Sequence, residues 1–280
     1  MKALVLGAAG QLGSELMRLL PDAAGLTRSD LSIVDRSRVD DALHEHGPEL
    51  VFNCAAYNAV DRAERERELA YGVNSEGAFN VALACAHHQV RLVHFSTNFV
   101  FDGALHRPYV ESDAARPLGV YAKSKLDGEG RVLAALPGAL VIRSAALFGD
   151  RGSAIKGGSF PQRIVERART GERLAVVSDQ RVNPTYARDL AVAVVGLAAT
   201  ELSGIVHLVA GGCCSWHEFA TSVLEACGVS AQVEAVTSSE QPAPAARPLN
   251  GCLGSTRVSS LRPWQEGLRE WASGVRREPA

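Results

Sequence analysis

The sequence predicts an α/β protein: a Rossmann-type doubly wound parallel sheet followed by a smaller C-terminal α/β substrate lobe. Three observations carry that expectation. Short apolar runs alternate with segments whose apolar residues recur at helical spacing, the pattern of βαβ units with helices on both faces of a sheet. The first run ends in the glycine turn GAAGQLG, at the opening of a helical segment. The alternation then loosens after about residue 148, where a loop rich in Gly, Ser and charge intervenes.

The elements follow in order. Residues 3–6 form a run of strand formers and residues 11–20 the helix behind the turn. Residues 50–54 read as a strand, 69–87 as a long helix, 91–96 as a strand, 121–136 as a helix and 139–147 as a strand. A sheet of this kind places its ligand outside the carboxyl ends of its strands. Residues 149–158 are a loop, 162–170 a helix, 173–177 a strand, 185–200 a helix, 205–210 a strand and 215–228 a helix. The Ser-, Pro- and Ala-rich stretch 238–247 is a loop. The expected division is a nucleotide-binding domain over 1–148, with 184–210 returning to it, and a substrate lobe from 149–183 and 211–280.

Composition removes several classes of function. Of the 280 residues, 46% are hydrophobic and 21% charged, which is ordinary for a folded domain. The formal net charge of −2 gives no electrostatic case for nucleic acid or an anionic membrane. No apolar run approaches the roughly 18 residues of a membrane span. The opening MKALVLGAAG is too short and glycine-broken for a signal peptide. The six cysteines form no CxxC pair and no zinc-like spacing, so they are expected as reduced thiols in a cytoplasmic protein. The pairs His44/His46 and His87/His88 lack a third ligand at a sensible spacing, and no metal is expected.

The glycine turn has chemistry in each position. Gly7 makes the tight turn out of the strand, Gly10 admits a pyrophosphate to the backbone, and Gly13 lets the helix pack against the sheet. The helix N-terminus adds free N–H groups and a positive dipole end. An NAD site has an acid about 20 residues downstream for the ribose 2′-hydroxyl. Here Thr27-Arg28-Ser29 stands there, and an arginine among hydroxyls suits the 2′-phosphate of NADPH. Asp30 follows immediately and keeps NADH open.

Tyr121 and Lys125 are four residues apart, so they share a helix face. A neighbouring ammonium favours a phenolate and lowers a tyrosine's pKa, which fits the pair to pass a proton to a ketone. The strand over 91–96 runs into Ser96-Thr97-Asn98, whose hydroxyls lie at a carboxyl end over the cofactor side. Asn53 ends the strand VFNC in a similar place.

Taken together, GAAGQLG, VFNCAAYNAVDRAE, HFSTNFVFDG, YAKSKLDGE, DQRVNPTYARDL, GIVHLVAGG and ARPLN followed by PW resemble the dTDP-4-dehydrorhamnose reductase family, extended short-chain dehydrogenase/reductases, from residue 1 to about 270. The resemblance implies a Rossmann sheet carrying NADPH or NADH and a C-terminal lobe for a nucleotide sugar reduced at C4. It implies Tyr121 as the catalytic tyrosine, Lys125 as the lysine on the nicotinamide ribose, and Thr97 as the hydroxyl residue. Gly7, Gly10, Gln11, Leu12 and Gly13 match the pyrophosphate loop, and Ala55, Ala56 and Tyr57 the stretch beneath the adenosine. Arg28 and Ser96 join the cofactor set; Thr97, Asn98, Phe99, Ala146 and Arg247 form the substrate set. The implied protein is a monomer or homodimer.

The sequence departs from the family pattern in the substrate pocket. STD has become Ser96-Thr97-Asn98, and RTSWxYG is here Arg143-Ser144-Ala145-Ala146-Leu147-Phe148-Gly149, without the tryptophan. The loop 150–159 is Gly-rich and carries Lys156. Some members form metal-bridged dimers through glutamates; Glu15 occupies one such position, and the full set is not matched. A second reading is a non-catalytic regulatory subunit, because the β subunit of methionine adenosyltransferase resembles this family and also keeps a Tyr-Lys pair. The C-terminus, 271–280, is short and charged, which offers little for a partner.

Overall fold

A computed structural model describes residues 2–152 and 157–275; Lys156 and the charged 276–280 lie outside the described residues. The nucleotide half runs β1 (Ala3–Leu6), α1 (Gln11–Leu19), β2 (Ala24–Leu26), α2 (Arg36–His46), β3 (Leu50–Asn53), α3 (Val60–Ala63), α4 (Arg67–Tyr71), α5 (Ala78–His87), β4 (Arg91–Thr97), α6 (Val120–Ala135) and β5 (Leu140–Ser144). There follow β6 (Leu147–Phe148), α7 (Phe160–Arg169), β7 (Leu174–Val177), β8 (Arg181–Val182), β9 (Thr185–Tyr186) and α8 (Ala187–Ala198). The chain then continues through β10 (Gly204–His207), β11 (Ala210–Gly211), β12 (Cys214–Ser215), α9 (Trp216–Cys227), β13 (Val233–Val236), β14 (Leu261–Pro263) and α10 (Trp264–Val275).

Six strands form one sheet in the order β10-β5-β4-β3-β1-β2. Every pairing in it is parallel. The chain winds outward from β1 to β2, then returns to β3 on the other side. The strand order therefore reverses between β1 and β3, where the carboxyl ends open a crevice. β1 (ALVL) is buried throughout, as a strand covered on both faces must be. On one face Val39 and Leu43 of α2, Val81 and Cys85 of α5 and Val132 of α6 pack together. On the other, Leu12 and Leu16 of α1 meet Leu190 and Val194 of α8.

Two sequence expectations are sharpened here. The helix read over 69–87 is two helices joined by a π turn, Gly72–Gly77. α2 escaped the sequence reading because RSRVDDALHEH is polar except at Val39, Ala42 and Leu43, which it buries. The Asp35 carboxylate accepts from the Arg38 N–H at 3.2 Å to start this helix, and Gly47 ends it at φ 48°.

The second core gathers Phe148, Tyr186, Phe219, Trp264, Leu268 and Trp271 beneath α7, α9 and α10. α9 opens on a capping box in which the Ser215 hydroxyl accepts from Glu218 N–H and Glu218 accepts from Ser215 N–H. Cys213 and Cys252 are paired, with Cα atoms 6.1 Å apart. This corrects the expectation of six reduced thiols: the fold brings together two cysteines 39 residues apart in sequence. Cys54, Cys85 and Cys214 keep their thiols. Among the described residues, no helix is long and apolar enough to cross a membrane.

Candidate active site

The crevice begins at the glycine turn. The N–H groups of Gly7 and Ala8 donate to Leu26 O at 2.8 and 3.1 Å, tying the turn to the end of β2. Gly7 sits at φ +79°, and a Cβ there would lie 2.8 Å from Ala55 N. A Cβ on Gly13 would lie 2.2 Å from Gly7 O, so only glycine lets α1 come this close. Gly10 is the helix N-cap and supplies no side-chain cap, which leaves the first-turn N–H groups for an outside acceptor. Leu12 turns its side chain into the core, so only its backbone is on offer. Gln11 carries a buried Nε2 without a hydrogen-bond partner. This uncapped, Cβ-free helix start with an orphaned amide beside it fits a pyrophosphate.

At the far end of the crevice Arg28 is exposed. Asp30 turns back into its own loop, accepting from Thr27 Oγ1 at 2.6 Å and Thr27 N at 2.8 Å. Those bonds hold its carboxyl below the usual range. Beyond β3, Ala55 abuts Gly7 and Ala56 is exposed. Tyr57 is fixed from below. Its N–H and C=O bond the Asn74 side chain at 2.9 Å each, and its hydroxyl donates to Glu66 at 2.6 Å. Asn74, unnoticed in the sequence, also donates to Ser124 Oγ at 3.0 Å and so ties this stretch to α6.

Two strands along, β4 and α6 bring Thr97, Tyr121 and Lys125 together. The Thr97 hydroxyl hydrogen-bonds the Tyr121 phenol. Phe99 meets the Tyr121 ring edge-on at 5.8 Å, and its N–H donates to Thr97 Oγ1 at 3.2 Å. Burial raises the phenol above its ordinary pKa, and the Thr97 bond draws it part of the way back. The expectation that Lys125 lowers this pKa is corrected, because Lys125 Nζ donates to Phe95 O at 2.6 Å. Lys125 is only 2% exposed, and burial brings its pKa down to about 8, against the pull of Glu129.

Four other expectations change. The Ser96 hydroxyl, expected in the cofactor set, donates to Glu129. Glu129 in turn takes Arg143 in a buried pair. Asn98 is buried with its Nδ2 donating to Gly251 O at 2.9 Å, so its amide joins the two halves of the fold and is not held out to a substrate. Arg247 grips Asp61 with two bonds of 3.0 and 2.8 Å, a carboxylate on α3 that the sequence reading left unassigned. Finally, His87 and His88 do have a third group beside them. Asp40 Oδ1 lies 3.0 Å from His87 Nδ1 and 3.1 Å from His88 Nε2, because α2 packs against α5. Glu15 is buried between Arg18 and Arg188, at 3.4 and 3.5 Å. Ala146, where the tryptophan was missing, adopts φ +43°, a left-handed conformation uncommon outside glycine.

A doubly wound parallel sheet with a cofactor-type glycine turn at its switch point, and a Thr-Tyr-Lys group formed by the end of β4 and by α6, defines a Rossmann-type dinucleotide-binding scaffold with acid–base capacity. A family model described as "RmlD substrate binding domain" matches residues 1–277, and the chain belongs to that family. The chain is 39% identical over 287 residues to a dTDP-4-dehydrorhamnose reductase of Mycobacterium tuberculosis, covering 98% of this chain and 91% of that one. It is 37% identical over 282 residues to a probable dTDP-4,6-dihydroxy-2-methyloxan-3-one 4-ketoreductase of Streptomyces antibioticus, covering 96% and 94%. The crystal structure of dTDP-4-dehydrorhamnose reductase from Bacillus anthracis in complex with NADP superimposes with a TM-score of 0.93. It is 33% identical, and the match covers 98% of this chain and 99% of that one.

Proposed function

We propose that this protein reduces the keto group of a dTDP-linked 4-keto-6-deoxy sugar with NADPH. The observation that carries this reading is the half-buried Tyr121 phenol, hydrogen-bonded to Thr97 at the end of β4, two strands along the sheet from the glycine turn. The dinucleotide, when bound, supplies the hydride. Gly7, Gly10, Gln11 and Gly13, with the backbone of Leu12, would hold its pyrophosphate, and Ala55, Ala56 and Tyr57 its adenosine side. Tyr121 gives its proton to the keto oxygen; Thr97 donates a hydrogen bond to the same oxygen and orients it. Phe99 covers the phenol edge and excludes water. Lys125, one helical turn from Tyr121, returns a proton to the phenolate and holds the ribose. The proposed division of labour gives the sheet half to the cofactor and residues 149–183 and 211–280 to the sugar nucleotide. The test is NADPH oxidation by the purified protein on adding dTDP-4-keto-6-deoxy sugars, with no other protein present.

Arg28 sets the cofactor preference in this reading. A charge-assisted contact contributes about 1.5–3 kcal/mol, so Arg28→Ala weakens NADPH binding by roughly ten-fold or more. NADH binding stays nearly unchanged, because the exposed guanidinium meets no 2′-phosphate there. Titration of both dinucleotides by fluorescence checks this, and an equal loss for both contradicts it.

Ala146 sets the sugar preference. Without an indole at that position the pocket accepts a bulkier or differently substituted sugar than the rhamnose precursor. Ala146→Trp is expected to shift the ranking of kcat/KM across several dTDP-4-keto sugars toward that precursor. An unchanged ranking removes the role.

A further inference from the structure

Behind Lys125 lies a buried polar chain that the mechanism above does not use. His94, on β4, is fully buried and stands in register between Asn53 of β3 and Val141 of β5. Its two ring nitrogens face different partners: Nδ1 lies 3.2 Å from Asn53 Nδ2, and Nε2 lies 3.5 Å from Lys125 Nζ. A buried imidazole needs both nitrogens accounted for.

The surroundings fix which nitrogen carries the proton. Asn53 Oδ1 accepts the Ala55 N–H at 3.2 Å, which turns the amide's NH2 toward His94. An amide NH2 is only a donor, so Nδ1 must accept. Burial, with the nearby Lys125 charge, holds His94 well below its ordinary pKa and keeps the ring neutral. The single proton therefore sits on Nε2, aimed at the lysine. An ammonium offers only donors and finds no acceptor there, whereas a neutral amine has a lone pair to receive the N–H.

We propose that His94 is a positioning residue for Lys125: it presents an N–H to the lysine nitrogen, directs the ammonium hydrogens away from itself, and receives the lone pair once Lys125 has given up a proton. The kinetic part rests on the reductase reading; the tautomer does not. The protons balance as follows. Tyr121 gives its proton to the keto oxygen, Lys125 ammonium gives one to the phenolate, and the resulting amine accepts the His94 hydrogen bond. Water then returns a proton to Lys125, and His94 keeps its own throughout. Other groups also face the lysine. Glu129, one turn further along α6, is held by Arg143, and the Cys54 thiol beyond β3 is pushed up by burial and stays neutral.

The sign of the pH effect follows. An N–H aimed at the nitrogen disfavours the ammonium, so it lowers the lysine pKa, and removing it raises that pKa. Lys125 must be protonated to act, so activity falls as pH rises through its pKa, at about 8 in the free protein. His94→Leu is expected to move this alkaline limb of kcat up by about half a pH unit or more. His94→Gln restores the original limb, because a glutamine can accept from Asn53 through Oε1 and donate to Lys125 through Nε2. Lower activity in both variants with no movement of the limb would mean a merely structural role and overturns the proposal. So does failure of glutamine to rescue.

Nitrogen NMR of histidine-labelled wild-type protein, free and with NADP, decides the tautomer without turnover or mutation. The His94 signal, assigned by its loss in His94→Gln, is expected as a neutral ring with the proton on Nε2. A proton on Nδ1 overturns the inference even if the enzyme is active. A wild-type protein that reduces no keto sugar fails the functional reading and leaves the tautomer measurement standing.

Discussion

Tyr121→Phe is expected to bind dinucleotide normally and to lose roughly 10²-fold or more in kcat, the ordinary worth of a positioned general acid. The prediction is strong because the half-buried phenol meets Thr97 and Phe99 and has little else to do. Phenylalanine keeps the ring and its edge-on contact while removing the hydroxyl, and with it the transferable proton. Thr97→Val should add a smaller loss, since it withdraws a hydrogen bond from the same oxygen and leaves the phenol in place. Steady-state kinetics with binding measured in parallel separates these effects. Near-normal turnover by Tyr121→Phe, with folding intact, would remove the tyrosine from the chemistry.

Glu129→Leu is expected to be the most destabilising of the changes considered. Arg143 donates to the Glu129 carboxylate through Nε at 2.9 Å and Nη2 at 2.6 Å, and the two side chains are only 4% and 2% exposed. The rest of the guanidinium is equally committed. Its centre lies 5.2 Å from the Phe101 ring, and Nη1 lies 3.4 Å from His207 Nε2. His207 Nδ1 meanwhile faces Gly254 O at 2.9 Å and Tyr109 O at 3.1 Å. Removing one partner of a buried pair costs about 3–5 kcal/mol, because the other charge is left buried and alone. The melting temperature should fall by on the order of 10 °C. The double variant Glu129→Leu, Arg143→Met should recover most of the loss, since it leaves no charge behind. A double variant no more stable than the single one would mean that the pair is worth more than its desolvation.

The parts of the fold visible in the sequence are those where pattern and structure share a cause. Residues 3–6 are all apolar because a parallel strand covered on both faces has no wet side, and the glycines at 7 and 13 are required by close backbone approach. Tyr121 and Lys125 were legible because helical spacing alone puts them on one face. What was hidden depends on contacts between distant segments. The Asn98–Gly251 and Arg247–Asp61 bonds span 153 and 186 residues, and no local pattern announces them. Ser96, Asn98 and Arg247 have the residue types of a binding site, yet the fold spends their polar groups on holding itself together. Asp40 beside His87 and His88 is the same case: α2 was too polar to register as a packed helix, so its carboxylate had no assigned neighbour.

The most direct test of the central claim is isotope transfer. NADPH carrying deuterium at the transferable position of the nicotinamide is incubated with the purified protein and a dTDP-4-keto-6-deoxy sugar. The product is then analysed by mass spectrometry and proton NMR. A reductase of the kind proposed delivers one deuterium to C4 of the sugar for each NADPH consumed, and Tyr121→Phe delivers it far more slowly. NADPH that binds and is not consumed, with no deuterium in any sugar tested, would contradict it and leave a dinucleotide-binding protein without reductase chemistry.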